Sequence, residues 1–173
     1  AFITERLDLL EQQLQGIRLL KSCPDQVTAT ILSMGEYVSV NIFSAILSSK
    51  GIDNVIVDPV EYVVAEGEYL DSLALLSQSR ARFSEVPNDG SKLLIMPGFV
   101  AANEQGEKVT LGRNGSDYSA AILAACINAS CCEIWTDVDG VYNADPNQVE
   151  GAVLLDKLTY QEAMELSYFG AKV

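Results

Sequence analysis

The stretch TLGRNGSDYSA, Thr110 to Ala120, sets one arginine inside a glycine-punctuated turn directly ahead of a helix-forming run. Glycines at 112 and 115 let the backbone turn tightly and come close to a ligand, and the free N–H groups opening a helix favour negative charge. Arg113 adds a planar fork that grips a carboxylate through two parallel hydrogen bonds. A carboxylate or a phosphate fits such a loop, with Ser116 beside it. Asp117 brings its own negative charge to the same helix end. As a first-turn residue it stabilises the helix by about 0.3–1 kcal/mol, so helix stabilisation and chemistry are both open: a metal-facing carboxylate, or one that orients a ligand amine or a lysine.

Three other stretches carry polar groups at telling positions. MGEYVS, Met34 to Ser39, puts Glu36 in the middle of an otherwise apolar helix. A buried glutamate costs several kcal/mol unless paired, so Glu36 either reaches solvent, bonds a cation or meets a ligand. WTDVDGVYNADP, Trp135 to Pro146, spaces Asp137, Asp139 and Asp145 around Gly140. The late bidentate glutamate of a calcium loop is missing, since Glu150 falls out of register, and ordinary turn acids after a strand explain the spacing. SYFGAKV places Lys172 just after a helix break at Gly170, where lone lysines are usually solvated.

These stretches must be positioned by regular elements. Leu7, Leu10, Leu14 and Ile17 recur at helical intervals in Phe2 to Lys21, with Thr4 as the expected cap, and Pro24 opens a second apolar helix that runs to about Ser49 and stops at Gly51. Asn54 to Val57 reads as a strand, Asp71 to Phe83 as a helix, and Lys92 to Met96 as a buried strand. Phe99 to Leu111 reads as a hairpin turning at Asn103 to Gly106 that delivers the arginine loop. Ser116 to Ala129 is then helical, Cys131 to Trp135 a strand, and Val138 to Tyr142 a turn or short strand. A last helix starts near Thr159, with Glu162 placed for a capping box. Alternating strands and helices predict an α/β class with a mainly parallel sheet and ligands beyond the carboxyl ends of the strands.

The totals narrow the function classes. A chain of 173 residues suggests one domain with a real core. A formal net charge of -13 argues against general binding to nucleic acid or to anionic membranes, both of which need a positive face. After Arg113 the next basic residues are Lys157 and Lys172, so an anion bound there depends on backbone N–H groups, a metal or very few cations. Histidine is absent, which excludes histidine-dependent catalysis within the chain and disfavours zinc. The four cysteines read as reduced core residues, which with the lack of a basic, apolar leader and of a continuous apolar run of about 20 residues points to a soluble, cytoplasmic protein. Starting at Ala1 rather than methionine, the chain reads as a segment of a longer one.

Taken together and in order, MGEYVS, GRNGSDYSA, WTDVDGVYNADP and YQEAMELSYFGAKV resemble the aspartate kinases of the amino acid kinase family, and most of all the kinase portion of bifunctional aspartokinase/homoserine dehydrogenases. The resemblance implies a three-layer α/β/α sandwich, incomplete here at both ends. It implies transfer of the γ-phosphoryl of Mg-ATP to the side-chain carboxylate of L-aspartate, giving 4-phospho-L-aspartate on the way to lysine, threonine and methionine. The cofactors it implies are ATP and Mg2+, with an oligomer, a dimer or higher, as the working form. Residue by residue, Glu36 matches the glutamate that takes the aspartate amino group, Arg113 and Ser116 match the grip on the substrate carboxylate, and Asp117 matches the acid that organises an active-site lysine. Thr136, Asp137 and Tyr142 match the nucleotide-binding segment at a strand end, and Lys172 with Val173 matches a later piece that reaches ATP.

Two departures qualify those expectations. The KFGGTS segment with the family's catalytic lysine is nowhere in residues 1 to 173, nor are regulatory or dehydrogenase regions, so the chain by itself is expected to be inactive or nearly so. Asn147 stands where many relatives carry an arginine, which removes the one local cation for nucleotide phosphates. The alternatives are a kinase for another acidic amino acid, such as glutamate or N-acetylglutamate, and a non-catalytic α/β module retained for assembly or ligand binding. The pairing of Glu36 with Arg113 favours a free amino acid having both an amine and a carboxylate.

Overall fold

Pro24 and Gly51 bracket the longest element, as the sequence predicts: Pro24 occupies the N-cap position of a helix over Asp25–Ser49, and Gly51 follows it at φ +75°. The computed structural model describes residues 2–86, 90–136, 139–146 and 148–168. In chain order the elements are α1 (Phe2–Leu20), α2 (Asp25–Ser49), β1 (Asn54–Ile56), α3 (Pro59–Tyr62), β2 (Ala65–Glu68), β3 (Asp71–Ala74), α4 (Leu76–Phe83), β4 (Leu93–Ile95), β5 (Val100–Ala102), β6 (Lys108–Thr110), α5 (Gly115–Cys126) and α6 (Tyr160–Tyr168). They fall into two compact units, Ala1–Cys132 and Glu133–Val173.

In the first unit β1 and β4 pair in parallel, while β2 with β3 and β5 with β6 form antiparallel hairpins. Within the α/β class the pairing is therefore mixed. A parallel bridge between Val64 and Ala102 joins the hairpins, helped by the Ala102 N–H donating to the Val63 carbonyl at 3.0 Å. The core lies among Val63, Phe83, Ala101, Val109, Leu111 and Ile122, with Tyr62 stacked on Phe83 at 5.4 Å between ring centroids.

Helix α2 is long and apolar enough to cross a membrane by length and composition, which short apolar runs in the sequence conceal. Its Ala29, Ser33, Met34, Tyr37 and Val40 are buried, and it packs on β1 and β6. Tyr37 fixes its rotation: the hydroxyl donates to Asp58 Oδ1 at 2.6 Å, Asp58 also caps α3 through the Val60 N–H, and Lys108 Nζ lies 4.3 Å from the ring centroid. Burial, then the bond to Asp58, pushes the Tyr37 hydroxyl well above its usual range, and burial pulls Lys108 down. At the other end, Asn54 accepts from Ser44 Oγ and donates to Ser48 Oγ, tying α2 to β1.

Several local expectations are corrected. Asp71–Ala74 is a strand, and helix α4 begins only at Leu76. Thr4 lies inside α1 rather than at its cap. Residues 131–136 form no strand and are exposed, so Cys131 and Cys132 are not core residues; Cys23 is exposed as well, and only Cys126 is buried. A strand needs a neighbour to satisfy its backbone groups, and residues 131–136 have none among the described residues.

The second unit holds an antiparallel bridge between Tyr142 and Leu154, flanked by the Leu155 N–H donating to the Val141 carbonyl at 2.9 Å. The predicted capping box opens α6. Glu162 accepts from the Thr159 N–H at 2.8 Å, its own N–H donates to Thr159 Oγ1 at 3.2 Å, and the carboxyl is held below its usual range by those bonds.

Candidate functional site

The arginine loop is held between two left-handed backbone positions. Gly112 takes φ +71°, and Asn114, at the N-cap of α5, takes φ +58°. Between them Arg113 projects outward, exposed and with no side-chain hydrogen bond or ion pair among the described residues. Gly115 packs so closely on Phe99 that an added Cβ would lie 2.6 Å from the ring carbon Cδ2. Gly98 likewise leaves 3.1 Å between its missing Cβ and the Ser116 Cα. The turn Pro97-Gly98-Phe99 thus forms the floor on which the first turn of α5 rests.

Phe99 itself is strained, at φ +69°, a region costing a bulky residue on the order of 1–3 kcal/mol. It is clasped at both ends. Ser119 Oγ accepts from the Phe99 N–H at 2.8 Å, and the Phe99 carbonyl accepts from the Leu111 N–H at 2.9 Å. Such strain concentrates where surrounding structure fixes a site. Leu32, Leu70, Asp71, Phe99, Thr110, Gly112 and Arg113 line a pocket of about 620 Å³. Smaller cavities of about 340 and 290 Å³ lie around Asp58 and Lys92 and around Cys126, and they gather none of the predicted residues.

The predicted residues therefore come together unevenly. Arg113 lines the large pocket, and Ser116 and Asp117 follow in the first turn of α5, both exposed. Asp117 makes no side-chain hydrogen bond among the described residues, so its helix role is limited to charge. Glu36 is half-buried on α2, one turn beyond Leu32 on the same face, but does not itself line the pocket. In the second unit Thr136 is exposed and Tyr142 forms the bridge to Leu154. Asp137, Lys172, Val173 and Asn147 lie outside the described residues. Two pocket residues, Asp71 and Phe99, carry no signal as site residues in the sequence: Asp71 opens strand β3 in a stretch whose spacing predicts a helix, and the strain of Phe99 has no sequence signature.

Residues 4–173 match the model of the amino acid kinase family, and the chain belongs to that family. It is 52% identical over 172 residues to a bifunctional aspartokinase/homoserine dehydrogenase of Buchnera aphidicola, covering 99% of this chain and 21% of that protein. A bifunctional aspartokinase/homoserine dehydrogenase of Haemophilus influenzae is 52% identical over 160 residues, 92% of this chain and 20% of its own length. The chain thus spans about a fifth of the length of these curated relatives. The crystal structure of E. coli aspartokinase III in complex with aspartate and ADP superposes with a TM-score of 0.83 at 30% identity, covering 95% of this chain and 38% of that one.

Proposed function

We propose that this chain is part of the catalytic domain of an aspartate kinase. The observation that carries the reading is the unpartnered Arg113 on a glycine-hinged loop over a pocket of about 620 Å³, in a chain similar to a protein crystallised with aspartate and ADP. Arg113 and Ser116 hold a substrate carboxylate, Glu36 serves the amino group, and Asp117 positions the reacting groups. An oxygen of the aspartate side-chain carboxylate attacks the γ-phosphorus of ATP, the bond to the bridging oxygen breaks, and ADP leaves with 4-phospho-L-aspartate as product. Positioning and charge neutralisation supply most of the acceleration in such transfers.

Thr136, Asp137, Tyr142, Lys172 and Val173 are the proposed nucleotide contacts. Among the described residues no three His, Cys, Asp or Glu side chains cluster to hold a metal ion. Mg2+ is expected to arrive on the nucleotide, held by phosphates and water as is usual for it. Steady-state kinetics of the full natural protein test the substrate assignment. Arg113→Ala is expected to raise the KM for L-aspartate about tenfold to a hundredfold, as loss of a charged hydrogen-bond donor implies, with the KM for ATP little changed. An unchanged KM for L-aspartate, or preference for L-glutamate in direct competition, contradicts it.

A further inference from the structure

The large pocket has a second charged wall. Asp71 lines it together with Arg113, and its carboxylate packs on the Gly112 backbone so closely that any Cβ there would overlap Oδ1. That placement is built. The turn between β2 and β3 is stitched to β6 by Thr110, whose N–H donates to the Tyr69 carbonyl at 2.8 Å and whose hydroxyl donates to the Leu70 carbonyl at 3.1 Å. Tyr69 adds a bond from its hydroxyl to Glu107 at 2.7 Å, and Ser72 Oγ donates to the Glu68 carbonyl at 2.6 Å. The Asp71 carboxylate itself engages no donor among the described residues, and it forms no ion pair with Arg113 although it sits on the adjoining residue.

An exposed acid beside the grip for an anionic substrate repels that substrate unless it meets a positive group on it. We propose that Asp71 selects for the ammonium group of the substrate, so that Arg113 and Asp71 present opposite charges matched to the carboxylate and the ammonium of an α-amino acid. Glu36 lies one turn beyond the pocket wall made by Leu32, and an ammonium has three donors, enough for both acids. The inference rests on the proposed aspartate site and adds to it a residue that rejects diacids lacking a free amine. Asp71→Asn would keep the packing on Gly112 while removing the charge.

Calorimetry on the full natural protein with L-aspartate and with succinate, the same diacid without the amine, tests this alongside turnover. In Asp71→Asn the Kd for L-aspartate is expected to rise about tenfold, the effect of losing one charged partner, while that for succinate stays level or falls. Asp71→Ser, shorter and also neutral, is expected to shift the ratio in the same direction. Equal weakening of both ligands means that Asp71 only shapes the loop, and an unchanged ratio means that it does not face the ligand; either overturns the proposal. Absence of phosphoryl transfer in a wild-type protein that still prefers L-aspartate over succinate through Asp71 overturns the kinase reading alone.

Discussion

Gly112 answers to two constraints at once, a backbone at φ +71° and the Asp71 carboxylate lying on its Cα. Gly112→Ala therefore strains the turn and pushes Asp71 away, and its expected cost is about 1–3 kcal/mol of stability with a raised KM for L-aspartate. Chemical denaturation read beside kinetics checks this, and a fully active, equally stable variant contradicts it. Asp117 is a question of the same scale. Lacking any side-chain hydrogen bond among the described residues, it contributes to α5 through charge alone, so Asp117→Asn is expected to lower stability by less than about 1 kcal/mol. If it positions the reacting groups, the same variant lowers kcat by about a hundredfold; an unchanged kcat returns Asp117 to the helix.

At the scale of elements, the β5–β6 hairpin is clamped by Glu107, which accepts from Tyr69 at 2.7 Å, Asn103 at 2.9 Å and Gln26 at 3.0 Å. The Tyr69 hydroxyl first, and then the Asn103 amide, hold its carboxyl below the usual range. A lowered folded-state value contributes stability that is fully present above the unfolded carboxylate value of about 4.3 and is lost as pH falls through the folded one. Thermal melts across the acid range are expected to show a shallower loss of stability in Glu107→Gln than in the wild type, and parallel curves would contradict the clamp.

Elements with strong local signals were legible. The Pro24 start and Gly51 stop of α2, the hairpin around Asn103 to Gly106 and the Thr159–Glu162 box all follow from capping and turn chemistry that acts within a few residues. The β2–β3 hairpin was not, because AEGE and DSLA have weak β-propensity and become strands through pairing with each other and the Thr110 bonds, a tertiary effect. The run CCEIWT misled in the other direction, since β-rich composition does not supply a partner strand. At the site, Arg113 with its glycines was readable, whereas the contact of Asp71 with Gly112 links residues 41 apart along the sequence and leaves no periodic trace.

At the scale of the whole molecule, the first unit is organised so that its core ends beneath the site. Ile122, buried on α5, packs in the same cluster as Leu111 and Val109, the residues that lead into the arginine loop. The bridged hairpins, the strained Phe99 and the Gly98 and Gly115 contacts then converge on one result, a well-supported mount for an exposed arginine. We propose that this mount serves phosphorylation of L-aspartate. It is tested most directly by incubating the full natural protein with Mg-ATP, L-aspartate and hydroxylamine. Aspartyl hydroxamate is expected in step with ADP, dependent on both substrates and sharply reduced in Arg113→Ala; ADP release without hydroxamate, or no reaction with L-aspartate, overturns the proposal.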